Sequence, residues 1–143
     1  KRSKLLQDPR ITVITEDCKS ENYYGLFASC HVCLAPSRWE GLGLHLFEAS
    51  AFGIPTITND NPPMNEIIRH GENGLLVFSL PLGSTKSGIE SYEPQIEALA
   101  NTIKKLSDWK TLSNLTNETK RCRKHFLWEN TVFDFLKLLA RFG

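Results

Sequence analysis

The strongest constraint on the fold is an alternation in the first half of the chain. Short apolar, β-branched runs are separated by segments with helical spacing, the pattern of strand-helix-strand units and a parallel sheet. Ile11-Thr12-Val13-Ile14-Thr15, between Pro9 and Glu16-Asp17, predicts a first strand. His31 to Ala35, stopped by Pro36-Ser37, predicts a second, Pro55-Thr56-Ile57-Thr58 a third, and Gly74 to Phe78 a fourth. Between them, Ser20 to Ser29 carries Tyr23, Tyr24, Phe27 and Ala28 at helical spacing; a helix over Gly43 to Phe52 ends at Gly53, and another over Met64 to His70 ends at Gly71. Asn59-Asp60-Asn61-Pro62-Pro63 reads as loop. Four parallel strands with short crossovers give an α/β fold, a Rossmann-like doubly wound parallel sheet.

After Leu80 the pattern changes. Pro81-Leu82-Gly83-Ser84-Thr85-Lys86-Ser87-Gly88 is rich in turn residues, so residues 81–91 are expected to form a loop. Beyond it Ile96, Leu99, Ala100, Ile103 and Leu106 keep helical spacing, as do Trp128, Val132, Phe135, Leu136 and Leu139. The expected organisation is therefore one partial domain: residues 1–80 hold the sheet, 81–91 the loop, and 92–143 a set of helices capping the sheet. The chain opens Lys1-Arg2-Ser3-Lys4 and its one methionine is Met64, so we expect a piece of something longer.

Composition removes several function classes. With 41% hydrophobic residues and a net charge of +1, from 17 Lys+Arg against 16 Asp+Glu, the 143-residue chain lacks the charge imbalance of disordered segments and the basic footprint of nucleic-acid binders. Basic residues are not expected to be concentrated at a site. No apolar run reaches the roughly 18 residues of a membrane helix, and no secretory leader pattern is present, which leads us to expect a cytoplasmic location. Cys18, Cys30, Cys33 and Cys122 are too scattered for a disulfide framework. Cys30-His31-Val32-Cys33 has the spacing of half a zinc site, but no second pair completes four ligands, and burial in a strand is the simpler reading. The histidines form no metal-binding cluster, and the aspartates include no Asp-x-Asp pair, so no metal and no cofactor are expected.

The segment that carries chemistry is Pro36-Ser37-Arg38-Trp39-Glu40-Gly41-Leu42-Gly43-Leu44-His45-Leu46-Phe47-Glu48-Ala49, which joins a strand to a helix through two glycines. Open α/β sheets bind ligands at this carboxyl edge. Gly41 and Gly43 leave backbone N-H groups approachable, and the helix that starts there offers unpaired donors and partial positive charge, a setting that suits phosphate. A dinucleotide fingerprint fails because Leu46 stands where its third glycine belongs. On a helical wheel with Leu44 at zero, Phe47, Ala51, Glu48 and Phe52 fall at roughly 300°, 340°, 40° and 80°, so Glu48 lies within an apolar arc. A carboxylate there needs a raised pKa or a fixed hydrogen-bond partner. A bound polyol such as ribose would supply one; a salt bridge or capping contact to a neighbouring loop is the alternative. Glu40, in the loop beside the glycines, is placed to meet a ligand or to act as an ordinary solvated acid.

Glu40 and Glu48, seven residues between them, in the setting PSRWEGLGLHLFEASAFGIPTIT, followed by Asn65-Glu66-Ile67-Ile68 and Gly71-Glu72-Asn73-Gly74-Leu75-Leu76-Val77, resemble the carboxyl-terminal half of the retaining group 1 (family 4) glycosyltransferases of GT-B type. The likeness runs from Ile11 to Phe78, and Phe126-Leu127-Trp128-Glu129 is similar to that family's terminal Phe-Ser-Trp helix start. The resemblance implies that Glu40 contacts the donor sugar as the catalytic-site carboxylate. It implies that Gly41, Leu42, Gly43 and Leu44 receive the sugar and diphosphate, and that Glu48 holds the ribose hydroxyls. His31 stands where the family usually has Asp, and Pro62-Pro63 where it has glycines. The partners implied are a nucleotide diphosphate-sugar donor, a hydroxyl acceptor such as a glycan or lipid-linked sugar, and an amino-terminal GT-B domain through which a peripheral membrane contact could form. The basic pair that clamps the diphosphate in the family has no counterpart in this chain, and the isolated chain is expected to be inactive. A non-catalytic nucleotide-sugar module would keep the fold without needing the glutamate pair. A flavodoxin-like regulatory domain would need an acidic cluster around Asp60, which is absent.

Overall fold

In the computed structural model, residues 8–142 are described apart from 16 and 18. Three short strands, β1 (Cys33–Ala35), β2 (Thr56–Asn59) and β3 (Gly74–Val77), form a parallel sheet in the order β1-β2-β3. Cys33 pairs with Thr56, and Ile57 with Leu75. Helix α1 (Ser20–Ala28) precedes β1, α2 (Leu44–Phe52) connects β1 to β2, and the single turn α3 (Met64–Ile67) connects β2 to β3. Every residue of β2 is buried, as expected of a strand paired on both sides and covered on both faces.

The alternation of side chains along the strands divides the core in two. Ile57, Leu75 and Val77 face Leu106 and Leu115, supplied by the segment after α4 (Ile96–Lys105) and by α5 (Trp109–Cys122). On the opposite face, Ala35 and Leu76 meet Leu46, Met64, Ile67 and Ile68 of the α2 and α3 crossovers. Helices on both faces make this a Rossmann-like α/β fold, with the carboxyl ends of all three strands at one edge.

Several expectations need correction. Ile11–Thr15 forms no strand; Ile11, Val13 and Ile14 are 41%, 49% and 50% exposed, and the Ile11 N-H donates to the Asp8 carbonyl in a local turn (3.0 Å). β-branched residues favour a strand only where a sheet edge receives them, so the described sheet has three strands and not four. The helix expected from Met64 to His70 stops at Ile67, because Ile68 is extended and the Arg69 N-H is taken by the Asn73 side chain (2.7 Å). Residues 81–91 are not a loop. Ser79–Ser84 (β4) and Glu90–Pro94 (β5) pair as an antiparallel hairpin with a register shift between Pro81 and Gly83. The turn residues serve its bulge and its tip, where Gly83 and Gly88 take positive φ angles of 117° and 80°.

The helical cap is also only partly as expected. α4 and α5 cover the sheet, but after a 3₁₀ turn (Arg123–Phe126) the last helix, α6 (Trp128–Leu139), leaves it, and Trp128, Phe135 and Leu139 are 73%, 59% and 52% exposed. Its spacing is that of an apolar face, but within the described residues nothing covers that face. Cys30 lies outside β1 and is exposed, whereas Cys33 is partly buried and burial pushes its thiol pKa up. Cys18 lies outside the described residues. Among the described residues no three His, Cys, Asp or Glu side chains gather as a metal site, and no helix is long and apolar enough to cross a membrane.

Candidate functional site

The loop from Pro36 to Gly43 leaves the carboxyl end of β1 and is tied from two sides. From the sheet, the Thr58 hydroxyl donates to the Ala35 carbonyl (2.8 Å) and the Asn59 side-chain amide to the Ser37 carbonyl (3.0 Å). From the hairpin, the Tyr92 N-H donates to the Arg38 carbonyl (2.8 Å), and the Arg38 guanidinium pairs with Glu93 (2.6 Å). The exposed ion pair adds little; the backbone bond is the firmer tie. Sequence reasoning missed both contacts, because Tyr92 and Glu93 fall in the helical cap expected after the loop, whereas they belong to β5. Glu40 is partly buried in this loop, and Trp39 and Leu42 are 48% and 60% exposed.

Gly41 and Gly43 differ. A Cβ on Gly41 would meet nothing within 4 Å, so its peptide is open to approach. Gly43 caps α2 with φ +68°, and a Cβ there would lie 2.9 Å from Leu46 Cδ1. The cap is left-handed and supplies no side-chain acceptor; the Leu46 N-H donates to the Gly43 carbonyl (2.9 Å), which leaves the Leu44 and His45 N-H groups as the donors at the start of α2. Leu44, at the first helical position, is 65% exposed.

Glu48 lies one turn further on, about 6 Å along the helix axis from Leu44. The wheel expectation is corrected here in part. The buried residues of α2 are Leu46, Ala49 and Ser50, and of the expected arc only Phe47 packs against the core, while Leu44, Ala51 and Phe52 are exposed. Ala49 and Ser50 are small enough to let the helix approach the sheet closely and Leu46 fills the core beside them, whereas Leu44 and Phe52 carry the hydropathy but stand outward. Glu48 therefore faces away from the sheet and is partly buried. It does have the fixed partner its setting demands: the Tyr23 hydroxyl donates to Glu48 Oε2 at 2.7 Å. The partner is neither a salt bridge nor a loop cap, but a phenol from α1. Rings hold α1 in place, with Tyr24 and Phe27 packing on Phe52 at centroid distances of 6.0 and 5.8 Å.

The hydrogen bond to Glu48, then burial, pushes the Tyr23 phenol up to about 12. Because the folded value lies above the ordinary value of about 10, this bond contributes to stability below pH 10 and is lost as the pH rises toward 12. Ultraviolet titration of phenolate should show Tyr23 ionising near pH 12, and Glu48→Ala should move that step back toward 10; an unmoved step would refute the bond.

Glu48 also lines an open cleft of about 840 Å³, between Phe47 and Phe126 and a run of cations. Lys120, Arg121, Arg123 and Lys124, from the end of α5 and the 3₁₀ turn, border it. This corrects the expectation that basic residues are not concentrated. The run Lys120-Arg121-Cys122-Arg123-Lys124 was visible in the sequence, but the overall balance of charge concealed it. Glu48 and the start of α2 thus share one helix at the scale of a nucleoside diphosphate. Glu40 stands in the loop two residues after Arg38, the residue that the hairpin holds.

The chain is similar in sequence to known proteins. The family model described as glycosyl transferases group 1 matches residues 4–80. An uncharacterized glycosyltransferase of Methanocaldococcus jannaschii is 27% identical over 106 residues, covering 73% of this chain and 24% of its own length. A putative glycosyltransferase of Bacillus subtilis is 40% identical over 62 residues, 38% of this chain and 16% of that protein. A lipopolysaccharide core biosynthesis mannosyltransferase of Rhizobium meliloti is 33% identical over 70 residues, 48% of this chain and 19% of that protein. The chain therefore spans less than a quarter of the length of these relatives. The family match covers more than half of the chain and includes the strand-turn-helix segment that bears Glu40 and Glu48 on a parallel sheet; the chain belongs to the group 1 glycosyltransferases.

Proposed function

We propose that the chain is the donor-binding part of an enzyme that moves a sugar from a nucleotide diphosphate-sugar to a hydroxyl acceptor with retention of configuration. The observation that carries this reading is the pairing, on one short helix, of an N-terminus without a side-chain cap and a partly buried glutamate one turn along. The N-H groups at Gly43 and Leu44 face developing negative charge on the leaving diphosphate and stabilise it electrostatically, with no metal and no cofactor in the scheme. Gly41 and Leu42 let the diphosphate and sugar approach the backbone. Glu48, an acceptor-only group when ionised, takes hydrogen bonds from the ribose hydroxyls. Glu40 positions the donor sugar at the loop. The acceptor, a glycan, lipid-linked sugar or other hydroxyl compound, binds mainly to an amino-terminal GT-B domain, which also provides any contact with a membrane, and the reaction takes place in the cytoplasm. The chain alone transfers no sugar in this scheme; transfer by the isolated chain would refute that part.

The test is calorimetric titration of the full protein carrying this chain with UDP-, GDP- and ADP-sugars. One of them should bind, and Glu48→Ala should weaken it at least about tenfold, equivalent to roughly 1.4 kcal/mol. Equal affinity in the variant would refute the ribose assignment.

A further inference from the structure

The Glu48 carboxylate sits on the outward side of α2, where its terminal torsion is soft and several orientations are open to it. One contact narrows that choice, the 2.7 Å hydrogen bond from the Tyr23 hydroxyl to Oε2. We propose that Tyr23 is a positioning residue for ribose recognition: by engaging one oxygen of Glu48 with a single neutral donor, it fixes the carboxylate plane and leaves the other oxygen to receive the nucleotide's sugar hydroxyls. The inference rests on the ribose role proposed above for Glu48 and names the residue through which that role is set.

The chemistry of the partner matters. An arginine here would occupy both carboxylate oxygens in a fork and neutralise their charge. A phenol has one donor hydrogen, so acceptor capacity and negative charge remain for a diol. Among the described residues no cation reaches ion-pair distance of Glu48, although Lys120, Arg121, Arg123 and Lys124 border the same cleft. A phenol is a donor throughout the neutral range, since its ordinary ionisation lies at about 10. Contacts other than the Tyr23 hydroxyl also place α1, because Tyr24 and Phe27 pack on Phe52. Tyr23→Phe therefore removes the donor and keeps the ring packing.

The experiment measures, by calorimetry on the full protein, the affinity for UDP, GDP and ADP and for their 2′,3′-dideoxy counterparts, with the unsubstituted protein, Tyr23→Phe and Glu48→Ala. The bound diphosphate should be preferred over its dideoxy form, and Tyr23→Phe should cut that preference about fivefold, the loss of one ordinary hydrogen bond, with the affinity for the dideoxy ligand unchanged. A purely structural role for Tyr23 would lower both affinities together and leave their ratio intact, which would overturn the inference. If Glu48→Ala loses the preference and Tyr23→Phe keeps it, the positioning role falls and the ribose reading stands. If Glu48→Ala also keeps the preference, or if no diphosphate binds, the ribose reading falls and the inference with it.

Discussion

Gly74→Ala is expected to destabilise the fold by roughly 3 kcal/mol or more, at the upper end of what overpacking costs. A Cβ on Gly74 would lie 2.2 Å from the Thr56 carbonyl oxygen and 2.7 Å from Ile68 Cγ2. The first contact is with backbone, so no rotamer change relieves it. Thr56 is fully buried at the start of β2 and is paired with Cys33 on one side and Gly74 on the other. Relief requires moving the central strand against both neighbours. For a chain of this size each kcal/mol lowers the melting temperature by about 2–4 °C, so the variant should melt about 6 °C lower at least, or fail to accumulate. Urea unfolding followed by circular dichroism measures this directly; a midpoint equal to that of the unsubstituted protein would refute the packing described at this strand.

Asn73→Ala should cost about 3 kcal/mol, because it leaves a buried carbonyl and a part-buried N-H without their partners at roughly 1–3 kcal/mol each. The Asn73 side chain is 1% exposed and works in three directions. Its oxygen accepts from the Arg69 N-H (2.7 Å), and its amide donates to the Ile67 carbonyl (3.0 Å) and, more weakly, to the Ser50 hydroxyl (3.4 Å) on α2. It thereby ends α3, shapes the turn into β3 and connects that turn to the helix that carries Glu48. Asn73→Asp keeps the acceptor for Arg69, loses both donors and buries a charge, so it should be no better tolerated at neutral pH. The same unfolding experiment decides this, and a loss below about 0.5 kcal/mol for Asn73→Ala, the level of an ordinary surface change, would show that these bonds do not hold the turn.

Parts of this structure were legible because local chemistry enforces them. The strands at Cys33–Ala35, Thr56–Asn59 and Gly74–Val77 fall within one or two residues of their apolar runs, and α2 ends at Gly53, where a left-handed cap is required. The need of Glu48 for a fixed partner was also legible, since a carboxylate among apolar residues must find one. Which partner was not, because Tyr23 is 25 residues away and reaches it only through the packing of α1 on α2. The face of α2 turned to the sheet was misread because hydropathy weights Leu44 and Phe52 above Ala49 and Ser50, while close approach to a sheet rewards small side chains. Ile11–Thr15 has the composition of a strand, but a strand exists only by pairing, and pairing is a property of the neighbours. The hairpin at Ser79–Pro94 was hidden by its own glycines, which mark a bulge and a tip but read as a continuous loop.

That hairpin crosses the edge of the family match. It anchors the Glu40 loop through the Arg38 carbonyl, yet all but its first two residues lie beyond residue 80, where the family match ends. The segment that bears the glutamates and the segment that steadies their loop therefore fall on opposite sides of the boundary of the family match. A change confined to the hairpin, in its length or in the backbone bond from Tyr92, alters how firmly the Glu40 loop is held while every residue of the matched segment stays as it is.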